Sequence, residues 1–550
     1  MNKGERVPIR PVIVVLPLAL LAALFFGACM AGRFQGPPSA SASPATYDVV
    51  IRNGRVMDPE SGLDAIRSLG ISAGVIRAIS SEPLTGRLEI DATGLVVAPG
   101  FIDVLREMPR EFAQVQLLDG VTTALELWIG TDDVDRWYAE REGKAVTNFG
   151  VAIGHERIRR ALMRDPGLPG SPGDAMHRAA TDVEIEEIRR NIERGLSRGA
   201  LGVSLTNVTP AASGWETLET FRTARRAGAA VWAAPRETGN WDVDDMPRYL
   251  TELIGAAAVT GAGLCIVHLQ ASGGPHTHRL LRIVEEAKAQ RLDVTAEVFP
   301  YTSNISHISF LDAEDWRNWP DEWFRDLEWM ATGERLTRET YARHREQDGQ
   351  VIVHNDHVEP LVTEAVASPF TMIVSGAYLD DQGHGHPRAS GTHARVLGHY
   401  VREKSVLSLG EALRKMALMP AQRLERRVPA MKNKGRIREG TDADIVMFDA
   451  GRIIDRATFR EPTRPSQGVR YVLINGVVVV RDGVIQESVF AGQPLRAPSS
   501  GTQGSNDVLR SVTEFASRPV VSRLMRRGQA TARRPGLSDA AGGEARARKA

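Results

Sequence analysis

The chain has 550 residues, enough for one large domain with an accessory one, or for two to three ordinary domains. Its 42% apolar and 25% charged content is that of a globular protein able to fill a large core. The 68 basic residues balance 68 acidic ones, which argues against a whole-protein role on nucleic acid or anionic lipid. Two cysteines, Cys29 and Cys265, are too few for a disulfide framework or a Cys-rich metal site.

Residues 1–46 read as an export segment. Lys3, Arg6 and Arg10 precede the apolar run VIVVLPLALLAALFFGAC, which fits a secretory signal and is marginal as a full membrane span. FGAC resembles a lipobox, with Phe26 an unusual first residue, so Cys29 is the candidate lipidation site. GPPSASASPA then reads as a flexible tether with a small-residue cleavage site ending at Ala42. An uncleaved signal anchor is the other reading. Both place the protein outside the cytoplasm, in the periplasm or cell envelope, with the N-terminus as its membrane anchor if lipidated or retained.

Residues 47–98 are strand-like, with short alternating runs separated by Asn-Gly, Ser-Gly and Ala-Gly turns. The same texture returns over 429–496, in GRIREGTDADIVMFD and VRYVLINGVVVVRDGVIQ. The two segments predict one small β-sandwich built from both ends of the chain. Between them, residues 99–428 alternate short apolar strands with amphipathic helices. The strands are GFIDV, TTALEL, FGVAIGH, ALGVSL, AAVWAAP, LCIVHL, DVTAEVFP and TMIVSG. In TDVEIEEIRRNIERGLSRG, Thr181 and Glu184 form a capping box, and Ile185, Ile188, Ile192 and Leu196 make one apolar stripe. Eight strand–helix repeats predict an α/β fold, a (β/α)8 barrel of the TIM type. Residues 303–368 exceed one crossover and carry Trp316, Trp319, Trp323 and Trp329 with the strand QVIVHN. They predict a lid-like insertion, its tryptophans packed together rather than forming a sugar-stacking surface. The Ser/Gly-rich, arginine-rich residues 497–550 read as a solvated, disordered tail, with contact to an anionic surface or cell wall as the alternative.

The phrases DVVIRNGRVMDPESG, APGFID, DGVTTALEL, HPRASGTHARVLGHYVRE and GRIREGTDADIVMFD, in this order, resemble the amidohydrolase superfamily, and within it the N-acyl-D-amino-acid deacylases. The resemblance runs from about Tyr47 to Pro494. It implies one or two divalent ions, zinc by family expectation, held at the C-terminal ends of barrel strands. Metal-bound water then hydrolyses a linear amide C–N bond, and an Asp on the last strand moves the protons.

The resemblance also implies His-x-His after the Asp of the first strand, but Asp103 is followed by Val104, Leu105, Arg106 and Glu107. Where the second strand of this branch has Glu-Leu-Glu, this chain has Glu126, Leu127 and Trp128. Ala234 stands at the fifth-strand histidine, with Arg236 keeping its place; His268 keeps the sixth-strand histidine; Gly376 stands at the catalytic Asp. A lone imidazole does not hold a catalytic zinc, which needs about three protein ligands.

His268 is therefore a vestigial zinc ligand or a satisfied core histidine. Glu107 is a candidate metal ligand or a partner for Arg106 or Arg110, and Glu126 and Glu297 are further carboxylates for an oxygen-rich site. His384 and His386, in GHGHPR, read as loop geometry. Arg236 and Arg388 are the candidate binders of a substrate carboxylate. Ser204, Ser272 and Ser375 lack a nucleophile pattern, and no Gly-rich phosphate loop occurs. The expectation is a pseudoenzyme with no cofactor or a vestigial zinc. It would bind an acylated amino acid or related carboxylate, or form a hetero-oligomer with an active paralogue. The alternative is an active hydrolase with a metal site rebuilt around His268 and nearby carboxylates.

Overall fold

The structure, a computed structural model, describes residues 46–499 except 109, 168–172, 206–210, 236–244, 309–310, 312–315, 348 and 355–357. Both the export segment and the arginine-rich tail lie outside the described residues. Among the described residues no helix is long and apolar enough to cross a membrane.

Eight parallel strands form the barrel: β1 (Phe101–Asp103), β2 (Val121–Thr131), β3 (Asn148–Gly154), β4 (Val203–Leu205), β5 (Ala230–Ala233), β6 (Gly263–Ile266), β7 (Val294–Val298) and β8 (Thr371–Ile373). Each pairs with its neighbour in sequence order. Side chains alternate along each strand. Leu125, Leu127, Ala152, Trp232, Cys265 and Met372 turn into the barrel, whereas Val151, Ile153 and Val231 meet the helix residues Ile188, Ile192 and Phe221 outside it. The helix Asp182–Ser197 has the expected capping box, and its stripe of Ile185, Ile188, Ile192 and Leu196 is buried.

The ladder stops short of pairing β1 with β8, and a buried side chain joins them. The Asp103 carboxylate accepts from Ser375 N at 3.0 Å, Gln116 Nε2 at 2.7 Å, Leu105 N at 3.3 Å and the Ser375 hydroxyl. Just beyond, Arg106–Glu107 pairs in parallel with Ala377–Tyr378, and Ala377 N donates to Leu105 O at 3.2 Å. Four acceptor contacts on one buried carboxylate offset its desolvation and fix the seam.

The two ends of the chain share one nine-stranded sheet, as the strand texture predicts. Its joint is the antiparallel pairing of Val96–Pro99 with Ile445–Phe448. Ile51, Val56, Leu69, Ile71, Ile445, Met447 and Leu473 lie within one core, so neither terminal segment buries its apolar face alone. Asp444 ties this sheet to the barrel, accepting from Asn148 Nδ2 at 2.9 Å, Lys434 Nζ at 2.7 Å and Asn475 N at 2.7 Å.

Between β7 and β8 a four-stranded sheet forms from Asn304–His307, Leu327–Trp329, Glu334–Arg335 and Gln350–Val353. Trp316 and Trp329 are buried in its core with Phe324 and Tyr341, Trp319 packs against it, and Trp323 is exposed.

Candidate functional site

The C-terminal ends of the strands bring the expected site residues together, and what gathers there is an aromatic and cationic stack. β6 ends at Ile266, and His268 follows with a left-handed backbone (φ 49°) at the start of the short helix Leu269–Gly273. That turn carries the imidazole under the mouth of the barrel. Its ring centroid lies 3.9 Å from that of Trp128 on β2 and 4.9 Å, edge-on, from Phe299 just after β7. The Arg388 guanidinium lies 4.4 Å above the Phe299 ring. Burial, and then the Arg388 charge, lower the His268 pKa well below the usual imidazole value. The ring is neutral, and its Nε2 is buried without a hydrogen-bond partner.

Gly376, which the sequence reading sets at the position of the family's Asp, closes this stack. Its φ of +52° lies in the left-handed region, and a β-carbon there would sit 2.5 Å from His268 Nε2. Its carbonyl accepts from Arg388 Nε at 2.7 Å, while Arg388 Nη1 donates to Asn304 Oδ1 at 3.2 Å. Arg388 is thus braced at the barrel mouth by the chain itself. The other predicted carboxylate binder, Arg236, lies outside the described residues, next to a buried Ala234.

Each carboxylate has its own surroundings. Glu126 Oε2 accepts from Trp137 Nε1 at 3.1 Å, with Arg141 3.9 Å away, and burial raises its pKa. Glu297 is fully buried inside the barrel. Its Oε1 accepts from Trp232 Nε1 at 2.9 Å and from the Cys265 thiol at 3.2 Å, and burial pushes its pKa up to about 8. The backbone of Glu107 pairs with Tyr378, and its side chain lies outside the described residues. Burial lowers Arg106 to about 10 against the pull of Glu126, and its Nε and Nη2 are buried without partners.

His386 is fully buried: its Nε2 meets Ser303 O at 2.9 Å and its Nδ1 accepts from Arg388 N at 3.0 Å, so it shapes the loop before Arg388. His384 is exposed and pairs with Asp380 at 3.3 Å. Ser375 takes part in the barrel seam, and Ser204 donates to Trp128 O. Reading the sequence missed Phe299 and Asn304, which hold His268 and Arg388; neither lies in a motif. It also missed a buried network just beyond β3. There Glu216 accepts from Arg159 Nη1 at 2.6 Å and meets His155 Nε2 at 2.9 Å, joining two helices over the barrel. The pair in GHERIRR was the available signal.

The described side chains do not make up a donor set for the divalent ions of the resemblance. Among the described residues no three His, Cys, Asp or Glu side chains form a group able to hold a metal ion. The orphaned His268 Nε2 faces Gly376, with the fixed positive charge of Arg388 and the Trp128 indole beside it.

The family model described as "Amidohydrolase family" matches residues 229–480. D-aminoacylase of Alcaligenes xylosoxydans xylosoxydans is 27% identical over 493 aligned residues, covering 81% of this chain and 96% of that protein. N-acyl-D-glutamate deacylase of the same organism is 28% identical, over 78% and 93% of the two chains. Among solved structures, N-acyl-D-glutamate deacylase from Bordetella bronchiseptica, complexed with zinc and a phosphonate inhibitor, shares the fold. Its TM-score is 0.68 at 24% identity, over 82% of this chain and all of that one. Matching phrases, barrel and composite sheet thus agree, and together they support the amidohydrolase family, in its D-aminoacylase-like branch.

Proposed function

We propose that this chain is a non-hydrolysing member of the deacylase branch that binds an acylated amino acid or a related carboxylate at the barrel mouth. The observation that carries the reading is the volume shared by Gly376 and His268. No side chain at 376 fits beside the imidazole where it stands, so the proton-shuttling carboxylate has no room as well as no residue. Arg388, braced against Gly376 and Asn304, supplies the fixed positive charge for a carboxylate. The N-terminal signal and Cys29 extend the reading to an exported, envelope-held protein that pairs with an active paralogue.

Zinc analysis of the purified protein, with turnover of an N-acetyl-D-amino-acid panel, tests the reading. The expected result is zinc far below one per chain and no deacylation above buffer, with a saturable thermal shift from at least one panel member that Arg388→Leu removes. Stoichiometric zinc with turnover abolished by His268→Ala would overturn it in favour of a rebuilt metal site, which would have to draw on Glu107. Absence of any saturable shift would remove the ligand-binding half.

A further inference from the structure

The N-terminal ends of β5, β6 and β7, at the opposite end of the barrel, surround a small cleft of about 30 Å³. Four guanidiniums line it, from Arg225, Arg423, Arg426 and Arg427, against one carboxylate, Asp293. The fully buried Leu201 and Trp232 lie behind it. This face of such a barrel ordinarily serves stability, and a surplus of three positive charges in a cleft works against that.

The interior donors are left over from the protein's own bonding. The Arg423 side chain is only 6% exposed; its Nη1 pairs with Asp293, but its Nε and Nη2 are buried without partners. Arg427 donates from Nη1 to Ala227 O at 2.9 Å and from Nη2 to Leu196 O at 2.6 Å, and its Nε is likewise buried without a partner. Lys288 stands close enough that the Arg423 charge, after burial, depresses its ammonium. Asp293 is more than half exposed and neutralises only one of these cations. Leaving buried guanidinium N–H groups unpaired costs more than leaving neutral ones, and one acceptor with several lone pairs satisfies them together.

We propose that this cleft is a binding site for a compact oxyanion of phosphate or carboxylate type. The anion accepts from the orphaned N–H groups of Arg423 and Arg427, and Arg225 and Arg426 close over it from the rim. The site is separate from the barrel mouth and does not depend on the reading of that end.

The test titrates the full chain with potassium phosphate and, in a second arm, sodium acetate, each balanced with KCl to constant ionic strength. It follows the unfolding temperature and, for phosphate, the ³¹P line width. The expected result is a saturable rise in unfolding temperature with at least one anion, with phosphate line broadening if that is the one. Affinity should fall at least tenfold in Arg423→Gln and several-fold in Arg225→Gln. The two arms separate a phosphate site from a carboxylate site. Should Arg423→Gln fail to fold, the exposed Arg225→Gln decides. No saturable response in the wild type, or one unchanged in every folded variant, overturns the proposal.

Discussion

A β-carbon at position 376 would lie 2.5 Å from His268 Nε2, and the imidazole is held between the Trp128 and Phe299 rings, so it cannot yield cheaply. Gly376→Ala is expected to cost about 2–4 kcal/mol, from overpacking and from a left-handed backbone that disfavours a side chain. In the double variant with His268→Ala the overpacking part should vanish, giving a coupling of about 1–3 kcal/mol in urea unfolding. Additive costs would show that the two positions do not share space. For the same reason Gly376→Asp should not by itself restore deacylation.

Glu297 gives a prediction in pH. Its folded pKa of about 8 stands above the ordinary value of 4.5, so the folded protein holds a proton that the unfolded chain releases. Stability from this group is complete below about 4.5 and is lost as pH rises to about 8. The stability of Glu297→Gln relative to wild type should therefore climb across that window, by at most about 1.4 kcal/mol per pH unit. Urea midpoints at pH 5, 7 and 9 check it, and a flat difference would show that Glu297 is ionised in the fold.

At the level of single elements, two devices differ in how far their failure spreads. Thr181→Ala removes one half of a capping box on an otherwise well-packed helix and should cost about 1 kcal/mol, read from the thermal midpoint. Asp103→Ala strips the seam between β1 and β8 of its common acceptor, leaving the Ser375 backbone N–H buried and unpaired and Gln116 Nε2 with only the Ser375 hydroxyl, 3.4 Å away. A loss of about 3 kcal/mol or more is expected. Amide exchange should quicken first around residues 103–107 and 375–378, whereas a uniform change would place the closure elsewhere.

Across the whole molecule, the strand Val96–Pro99 lies between Thr46–Asp58 and Ile445–Phe448, and Asp444 fastens the second pairing to the barrel through Asn148. A chain ended after residue 428 should therefore fail to fold, instead of leaving an intact barrel with a ragged edge. Circular dichroism and size-exclusion chromatography on the shortened protein would show the difference. The basic cleft between β5 and β7 belongs to this scale too, since Arg225 comes from a segment about two hundred residues before the one that carries Arg423, Arg426 and Arg427.

Much of the fold was legible in the chain. Periodic runs locate all eight barrel strands, and the strand texture at both ends anticipates the shared sheet, because burial of alternating side chains is written locally. The departures from the family's text at Val104 to Glu107, Trp128, Ala234 and Gly376 are a reading of the flanking phrases. What the sequence could not supply is what surrounds these positions. Only the tertiary structure brings Trp128, Phe299 and Arg388 around His268, turns Asp103 into the barrel's seam and gathers the arginines of the opposite face. These are contacts between residues far apart in the chain, decided by three-dimensional packing and by where buried polar groups find partners.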